Sequence, residues 1–249
     1  MTPQPNKPKG VFSASRISDL LASGGKSRQS YIYDLCLDVL GLYKNFETKE
    51  MLHGTVNQQN AFDFTVKPLF KDAVMQHDVY ISINKDCGAS PDVLIGNDTL
   101  DIKCPTLLYF NAYRHSQPKS MKDQVQMQMM ATKADKGYLL FYLSKPETWG
   151  EEGWEEYDFE RYDDNHYVIE FAKDEAKHEE ILKAVEKAAP QRDELLDILV
   201  NAEEWDFKTL MRWCRDGNKY DRLKNANNMW NADVFRYDNE FYFKQPKKL

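Results

Sequence analysis

Long apolar runs are missing from this sequence of 249 residues. None approaches the roughly 20 residues that span a bilayer, so no membrane association is expected. Cysteine is scarce as well. Cys36, Cys87, Cys104 and Cys214 are scattered with no C-x-x-C spacing, which argues against zinc ribbons and disulfide frameworks. An iron–sulfur cluster drawing on all four stays open on count alone. The same usage fits a reducing cytoplasm. Residues 1–10 carry Pro and Lys but no apolar leader, and read as a short disordered basic arm rather than a signal peptide. Positive charge is short overall. The formal net charge of −7 excludes a general nucleic-acid coat, but not an acidic exterior with a local basic groove.

What is present centres on residues 90–105. Two apolar-rich runs, 92–95 and 98–102, flank Gly96-Asn97, a two-residue hairpin signal. With Gly96 and Asn97 at the turn, 95 pairs with 98, 94 with 99, and the continued ladder sets Asp92 opposite Asp101. Side chains so opposed have Cβ atoms roughly 4.5–5.5 Å apart. Strand alternation puts Lys103 on the face of Asp101. Facing carboxylates repel, and a hard divalent cation between them removes the conflict. Two readings follow: a metal site with a lysine beside it, or a solvated hairpin with acidic residues. Val93, Leu94, Ile95, Leu100 and Ile102 make the hairpin largely buried and favour the first, because buried charge needs a partner.

Around it, the pattern predicts a helix capped by Ser15 with Ile17, Leu20 and Leu21 on one face. A Gly-rich basic break over 23–28 follows, carrying Lys26 and Arg28, and then a helix over 31–40. A long helix over 49–64 is expected to bury Met51, Val56, Ala61, Phe62 and Phe64, with Gln58, Gln59 and Asn60 on a solvated face. Residues 77–83 alternate as a strand. A short helix falls within 106–118. A helix over 120–134 has an apolar face of Met121, Val125, Met129 and Met130. Its amide line of Gln124, Gln128 and Thr132 would ordinarily face solvent, but beside a charged strand pair it can order a water. Residues 137–143 form a strand buried on both faces. Beyond 145 the composition shifts: an acidic, aromatic excursion over 147–164, a short edge strand over 167–171, and a helix over 174–202 interrupted or kinked at Pro190, with Ile181, Leu182, Val185, Leu195, Leu196 and Leu199 on its apolar side. Residues 205–249 interleave aromatic and basic side chains, which suits packing, a subunit interface or a grip on nucleic acid. The fold class expected is α/β, a mixed sheet flanked by helices.

Four elements in this order resemble the PD-(D/E)xK nuclease superfamily, and more narrowly the lambda-exonuclease and YqaJ-type viral recombinases. Ser90-Pro91-Asp92 followed by Asp101-Ile102-Lys103-Cys104-Pro105 is similar to the family's SPD…(E/D)-x-K-C-P signature. Gln124-Val125-Gln126-Met127-Gln128-Met129 is similar to its Q-V-Q-x-Q-M helix, and Phe12-Ser13-Ala14-Ser15 to its T/S-A-S element. Arg28 falls where a phosphate-binding arginine is expected. The resemblance runs from about residue 11 to 143, so a restriction-endonuclease-like core over 11–145 is expected, followed over 146–249 by a mainly helical, aromatic-rich extension packed on the core or at a subunit interface. One departure stands out. The family's G-x-x-x-E-x-x-A helix corresponds to residues 54–61, where Gln58 replaces the glutamate. Glutamine keeps a neutral oxygen ligand and removes one negative charge. It reads either as a natural tuning of the site or as an inactivating Glu-to-Gln substitution.

The resemblance implies Mg²⁺-dependent hydrolysis of linear double-stranded DNA from 5′ ends, leaving 3′ overhangs for recombination by single-strand annealing. It implies two Mg²⁺ ions per site, replaceable by Mn²⁺, held by Asp92, Asp101, the Ile102 carbonyl and Gln58. Lys103 would orient or deprotonate the attacking water, its pKa lowered by the cation, and Gln124 would position water or phosphate. Ser13, Ser15, Arg28 and Ser90 would contact DNA, with Arg28 and Ser15 at the 5′-phosphate. A homotrimeric ring, a single-strand annealing protein as partner and the cytoplasm of a bacterial host complete what it implies. Two other classes remain: a PD-(D/E)xK endonuclease, and a non-catalytic protein that binds DNA ends.

Overall fold

A computed structural model describes residues 7–23, 25–41, 49–77, 79–144, 165–201, 234–237 and 240–243. The N-terminal segment gives a two-residue strand β1 (Phe12–Ser13), a 3₁₀ turn (Ala14–Arg16) and helix α1 (Ile17–Leu21). Ser15 therefore does not cap a helix. It sits exposed inside the 3₁₀ turn, and α1 begins after Arg16 without a side-chain cap. Helix α2 (Lys26–Val39) starts in the basic break itself, so Arg28 lies in its first turn. Helix α3 (Lys49–Ala61) passes through a π-helical turn (Phe62–Val66) into α4 (Lys67–Leu69).

On α3 the expected burial is only half right. Ala61 and Phe62 are buried, whereas Met51, Val56 and Phe64 are exposed. The inward face carries His53, Asn57 and Ala61 at i, i+4 and i+8 instead. His53 Nε2 meets Ser144 Oγ at 2.8 Å, and Asn57 Nδ2 donates to the His53 carbonyl at 2.9 Å. A polar chain thus holds α3 against the sheet where the pattern had suggested an apolar stripe.

Among the described residues the main sheet has five strands in the order β2 (Ala73–Met75), β5 (Val93–Ile95), β6 (Asp98–Lys103), β7 (Lys136–Tyr142), β8 (His166–Ala172). Its one parallel pair is β6 with β7. A smaller sheet joins β1, β4 (Cys87–Ala89) and β3 (Ile81–Ser82). Of the strand expected over 77–83, the described residues form Ile81–Ser82, and the segment that joins the main sheet nearby is the preceding β2, too short to show alternation. The hairpin register holds: Ile95 pairs with Asp98, Leu94 with Thr99 and Val93 with Leu100. Of the two turn residues only Gly96 has positive φ, the pattern of a type II′ turn.

Helix α5 (Leu107–His115) and helix α6 (Lys119–Thr132) cover one face of the main sheet, where Val125, Met129 and Phe110 pack on Leu139, Phe141 and Leu143. The opposite face takes Ala61, Phe62 and Val66 against Val93, Leu100, Ile102 and Leu140. Gly137 sets the depth of α6, since a Cβ there would lie 2.5 Å from Val125 Cγ1. Helix α7 (Glu175–Asn201) runs through Pro190 without interruption. Pro190 and Glu186 both lie on the exposed side of the helix. Its buried stripe includes Ile181, Val185, Leu195 and Leu199, while Leu182 turns outward. The excursion over 147–164 lies outside the described residues. So does most of 205–249, of which only an antiparallel pair, β9 (Val234–Tyr237) and β10 (Glu240–Phe243), is described.

Candidate active site

Strand β6 places Asp101 and Lys103 on the face covered by α5 and α6, and Leu100 and Ile102 on the other. Parallel pairing confirms the side, since Asp101 is level with Leu139 and Lys103 with Phe141. Asp101 is 2% exposed. A carboxylate so buried requires donors, and three reach it. Gln124 Nε2 donates to Oδ1 at 2.7 Å, Gln128 Nε2 donates to the same oxygen at 2.8 Å, and Lys103 Nζ lies 2.6 Å from Oδ2. Lys103 also donates to Gln124 Oε1 at 3.1 Å, which closes a ring of three side chains.

The amide line on α6 therefore does not face solvent. Gln124 and Gln128, one turn apart, both grip Asp101, and Gln128 is fully buried. Thr132, the third member, bonds back to the Gln128 carbonyl at 3.1 Å and takes no part. Gln128 was not among the expected site residues, although its i+4 spacing from Gln124 was the available signal.

Asp92 departs from the simple ladder. Strand β5 begins at Val93, so Asp92 stands just outside it, and its Oδ2 accepts the Ile102 N–H at 2.7 Å. The two aspartates still face one another electrostatically. Burial, then the neighbouring Asp101 charge, pushes the Asp92 carboxyl up to about 7, against the pull of Lys103 and the Ile102 N–H. For Lys103 burial favours the neutral amine, but Asp101 and Asp92 outweigh it and the pKa stands above the ordinary lysine value. The lowering expected of Lys103 is an effect of a bound cation and belongs to the metal-loaded site. Burial and Asp92 push the Cys104 thiol up to about 12, so it remains protonated.

These residues suit a divalent cation. Burial and the like charge of Asp101 both disfavour the Asp92 carboxylate, and a cation between the two would relieve that cost. Asp92 Oδ1 makes no hydrogen bond to a described residue, and hard oxygen donors are the matching chemistry. Among the described residues no three His, Cys, Asp or Glu side chains converge. Asp92 and Asp101 would therefore need neutral oxygens, such as the Ile102 carbonyl, to complete the set. Gln58 sits half-buried on α3, which packs against β6, and is hydrogen-bonded to neither aspartate.

A second cluster gathers the N-terminal candidates. Ser13 Oγ lies 3.3 Å from Ser15 Oγ and 3.2 Å from Tyr31 Oη, and the Ser13 N–H donates to Tyr31 Oη at 2.7 Å. Tyr31 was not anticipated. Arg28 stands one turn before Tyr31 on α2. Its Nε and Nη2 are buried without a hydrogen-bond partner among the described residues, and burial lowers its pKa. Strand β1 pairs with β4, whose chain continues through exposed Ser90 and buried Pro91 into Asp92, and the 3₁₀ turn packs on α6. The two clusters are thereby tied to one framework.

The fold is that of the α/β nucleases. The chain aligns with the alkaline exonuclease LHK-Exo from Laribacter hongkongensis at 21% identity and TM-score 0.61, over 77% of this chain and 92% of that one. The LHK-Exo complex with dAMP gives 22%, 0.62, 77% and 92%. A phage related exonuclease from Haemophilus somnus 129PT gives 12% identity and TM-score 0.63, over 75% of this chain and 95% of that one. No curated protein sequence matches. The YqaJ-like viral recombinase domain matches residues 5–135, more than half of the chain, and the protein belongs to that family.

Proposed function

We propose that this protein is a divalent-metal-dependent exonuclease that digests linear double-stranded DNA from 5′ ends and leaves 3′ single strands for recombination by annealing. The observation that carries the reading is the buried Asp101, gripped by Lys103, Gln124 and Gln128, with Asp92 beside it held up to about 7 by burial and like charge. Membership of the viral recombinase family supports it. So does a fold shared with proteins described as exonucleases, one of them in complex with a nucleoside monophosphate.

In this reading Asp92, Asp101 and the Ile102 carbonyl hold Mg²⁺ or Mn²⁺, two ions with the help of Gln58. An ion held there would supply Lewis-acid activation of a water and charge compensation at the scissile phosphate. Gln124 fixes the Lys103 ammonium, which orients the attacking water and shields the phosphate. Gln128 holds Asp101 in one rotamer. Ser13, Ser15 and Arg28 receive the terminal 5′-phosphate: a desolvated guanidinium with unused donors is suited to an oxyanion. Ser90, at the entry to Asp92, contacts the backbone. The proposal extends to a cytoplasmic homotrimeric ring acting with a single-strand annealing protein. A ring reconciles the net charge of −7 with DNA binding, since only the channel must be positive.

Linear duplexes bearing a 5′-phosphate on one strand only test the reading, with Mg²⁺ and with a closed circle as control. The expected result is mononucleotides from the phosphorylated strand and an intact circle. Nicked or linearised circles assign the site to an endonuclease, and digestion from 3′ ends removes the polarity. The neutral Gln58 favours one second reading, a protein that binds ends without turning over. End binding with no product in Mg²⁺ or Mn²⁺ selects it.

A further inference from the structure

Helix α5 opens directly after the Lys103-Cys104-Pro105 exit of the candidate site and carries two large exposed side chains, Leu108 at 74% and Tyr109 at 52%. Tyr109 is not a loose surface ring. It stacks on Tyr113 with centroids 5.6 Å apart and planes at 27°. Tyr113 meets Phe141 at 5.8 Å, and Phe141 stacks on Tyr167 at 4.8 Å and 16°. The Tyr167 hydroxyl donates to the Phe110 carbonyl at 3.0 Å, and the Arg114 guanidinium lies over both the Phe110 and Tyr167 rings. The exposed tyrosine is therefore the outer ring of an aromatic column rooted in the core.

The column begins beside the chemistry. Phe141 is level with Lys103 across the parallel β6–β7 pair, so the two project from one face of the sheet, on strands roughly 4.8 Å apart. The surroundings match a polyanion. From Ile102 to Lys122 the sequence has no Asp or Glu, while Lys103, Arg114, His115, Lys119 and Lys122 fall within it, in a chain whose net charge is −7. The acid that ends the stretch, Asp123, is 2% exposed and lies 3.5 Å from Lys177.

We infer that Tyr109, with Leu108 beside it, stacks on a nucleobase of the DNA strand entering the carboxylate site. The inference rests on the nuclease reading given above. A pre-positioned ring loses little side-chain entropy on stacking, and stacking tolerates any base.

The test uses the full-length protein and linear duplexes carrying 2-aminopurine at one of the first three nucleotides of the 5′ strand. Binding is read in Ca²⁺ by fluorescence quenching and digestion in Mg²⁺ by product release. Tyr109→Ala is expected to raise KM about tenfold with kcat little changed, and to abolish quenching at one position. Tyr109→Phe, which keeps the ring, should behave like the parent. If Tyr109→Ala matches the parent in KM and quenching, the stacking inference is overturned while the nuclease reading stands. If the parent itself neither binds nor digests the duplex, the nuclease reading fails and this inference with it. A change in particle mass for Tyr109→Ala with unchanged KM assigns the patch to a subunit contact and also overturns the inference.

Discussion

Asp92 is the residue whose ionisation ties stability to the site. Its folded pKa of about 7 lies above the roughly 3.9 of an unfolded aspartate. Below both values the carboxyl is protonated in either state and contributes nothing. As pH rises between them, the unfolded chain releases a proton that the native chain keeps, so unfolding is increasingly favoured until the folded pKa is passed. In EDTA the melting temperature should therefore decline between about pH 4 and pH 7, and Asp92→Asn should flatten that decline. Thermal melts across this window check it, and an unchanged slope in the variant would remove Asp92 as the source. The types and order of Asp92, Asp101 and Lys103 were legible in the sequence because strand alternation and a two-residue turn leave little freedom, whereas Gln124 was legible through the resemblance of its helix to the family's amide motif. Gln128 and Tyr31 were not, because their roles depend on which face of α6 or α2 meets which strand.

Helix α6 is the element that converts sheet geometry into a site. Val125 and Met129 pack on the main sheet, Met127 and Ala131 on the cluster formed by α1, α2 and α7, and Gln124 and Gln128 fill the gap over Asp101. Gln126 points the opposite way and takes the turn between β8 and α7, donating to the Ala172 carbonyl at 2.8 Å and meeting His178 Nε2 at 2.9 Å. Beyond its exposed first turn the helix is buried on nearly every side, which is why its amides could not be placed from periodicity alone. Its height rests on Gly137. Gly137→Ala places a methyl against Val125 and Met129, with an expected loss of about 1–3 kcal/mol in urea unfolding. Stability equal to that of the parent would show that the two side chains give way freely.

At the scale of the molecule, residues 166–201 are built into the body that carries the site. Strand β8 closes the edge of β7, and Ile181, Val185, Ala188 and Ala189 share a core with Phe12, Ile17, Ile32 and Leu35. Arg192 donates to the Gly10 carbonyl and to Asp86 Oδ1, both at 2.8 Å. A fragment ending at residue 145 is expected to lose these contacts and with them cooperative unfolding. Near-UV circular dichroism and urea titration check this, and a sigmoidal transition in the fragment would show that the extension is dispensable. The change in composition after residue 145 fits an extension packed on the core or at a subunit interface, without saying which. Composition reports solvent exposure along a segment, not which edge of a sheet it will close.

The sequence by itself determined the hairpin, its register, the acid–acid–lysine order, the amide-bearing helix and the two-sided burial of β7. Each follows from short-range rules, namely strand period, turn chemistry and the cost of unpartnered buried charge. Tertiary structure alone decided that Asp92 leaves the ladder to take the Ile102 N–H, that two glutamines share Asp101, that Lys103 is held charged, and that α3 turns polar residues inward. Those outcomes depend on which surfaces meet, and a surface meets its neighbour only once the chain between them has folded.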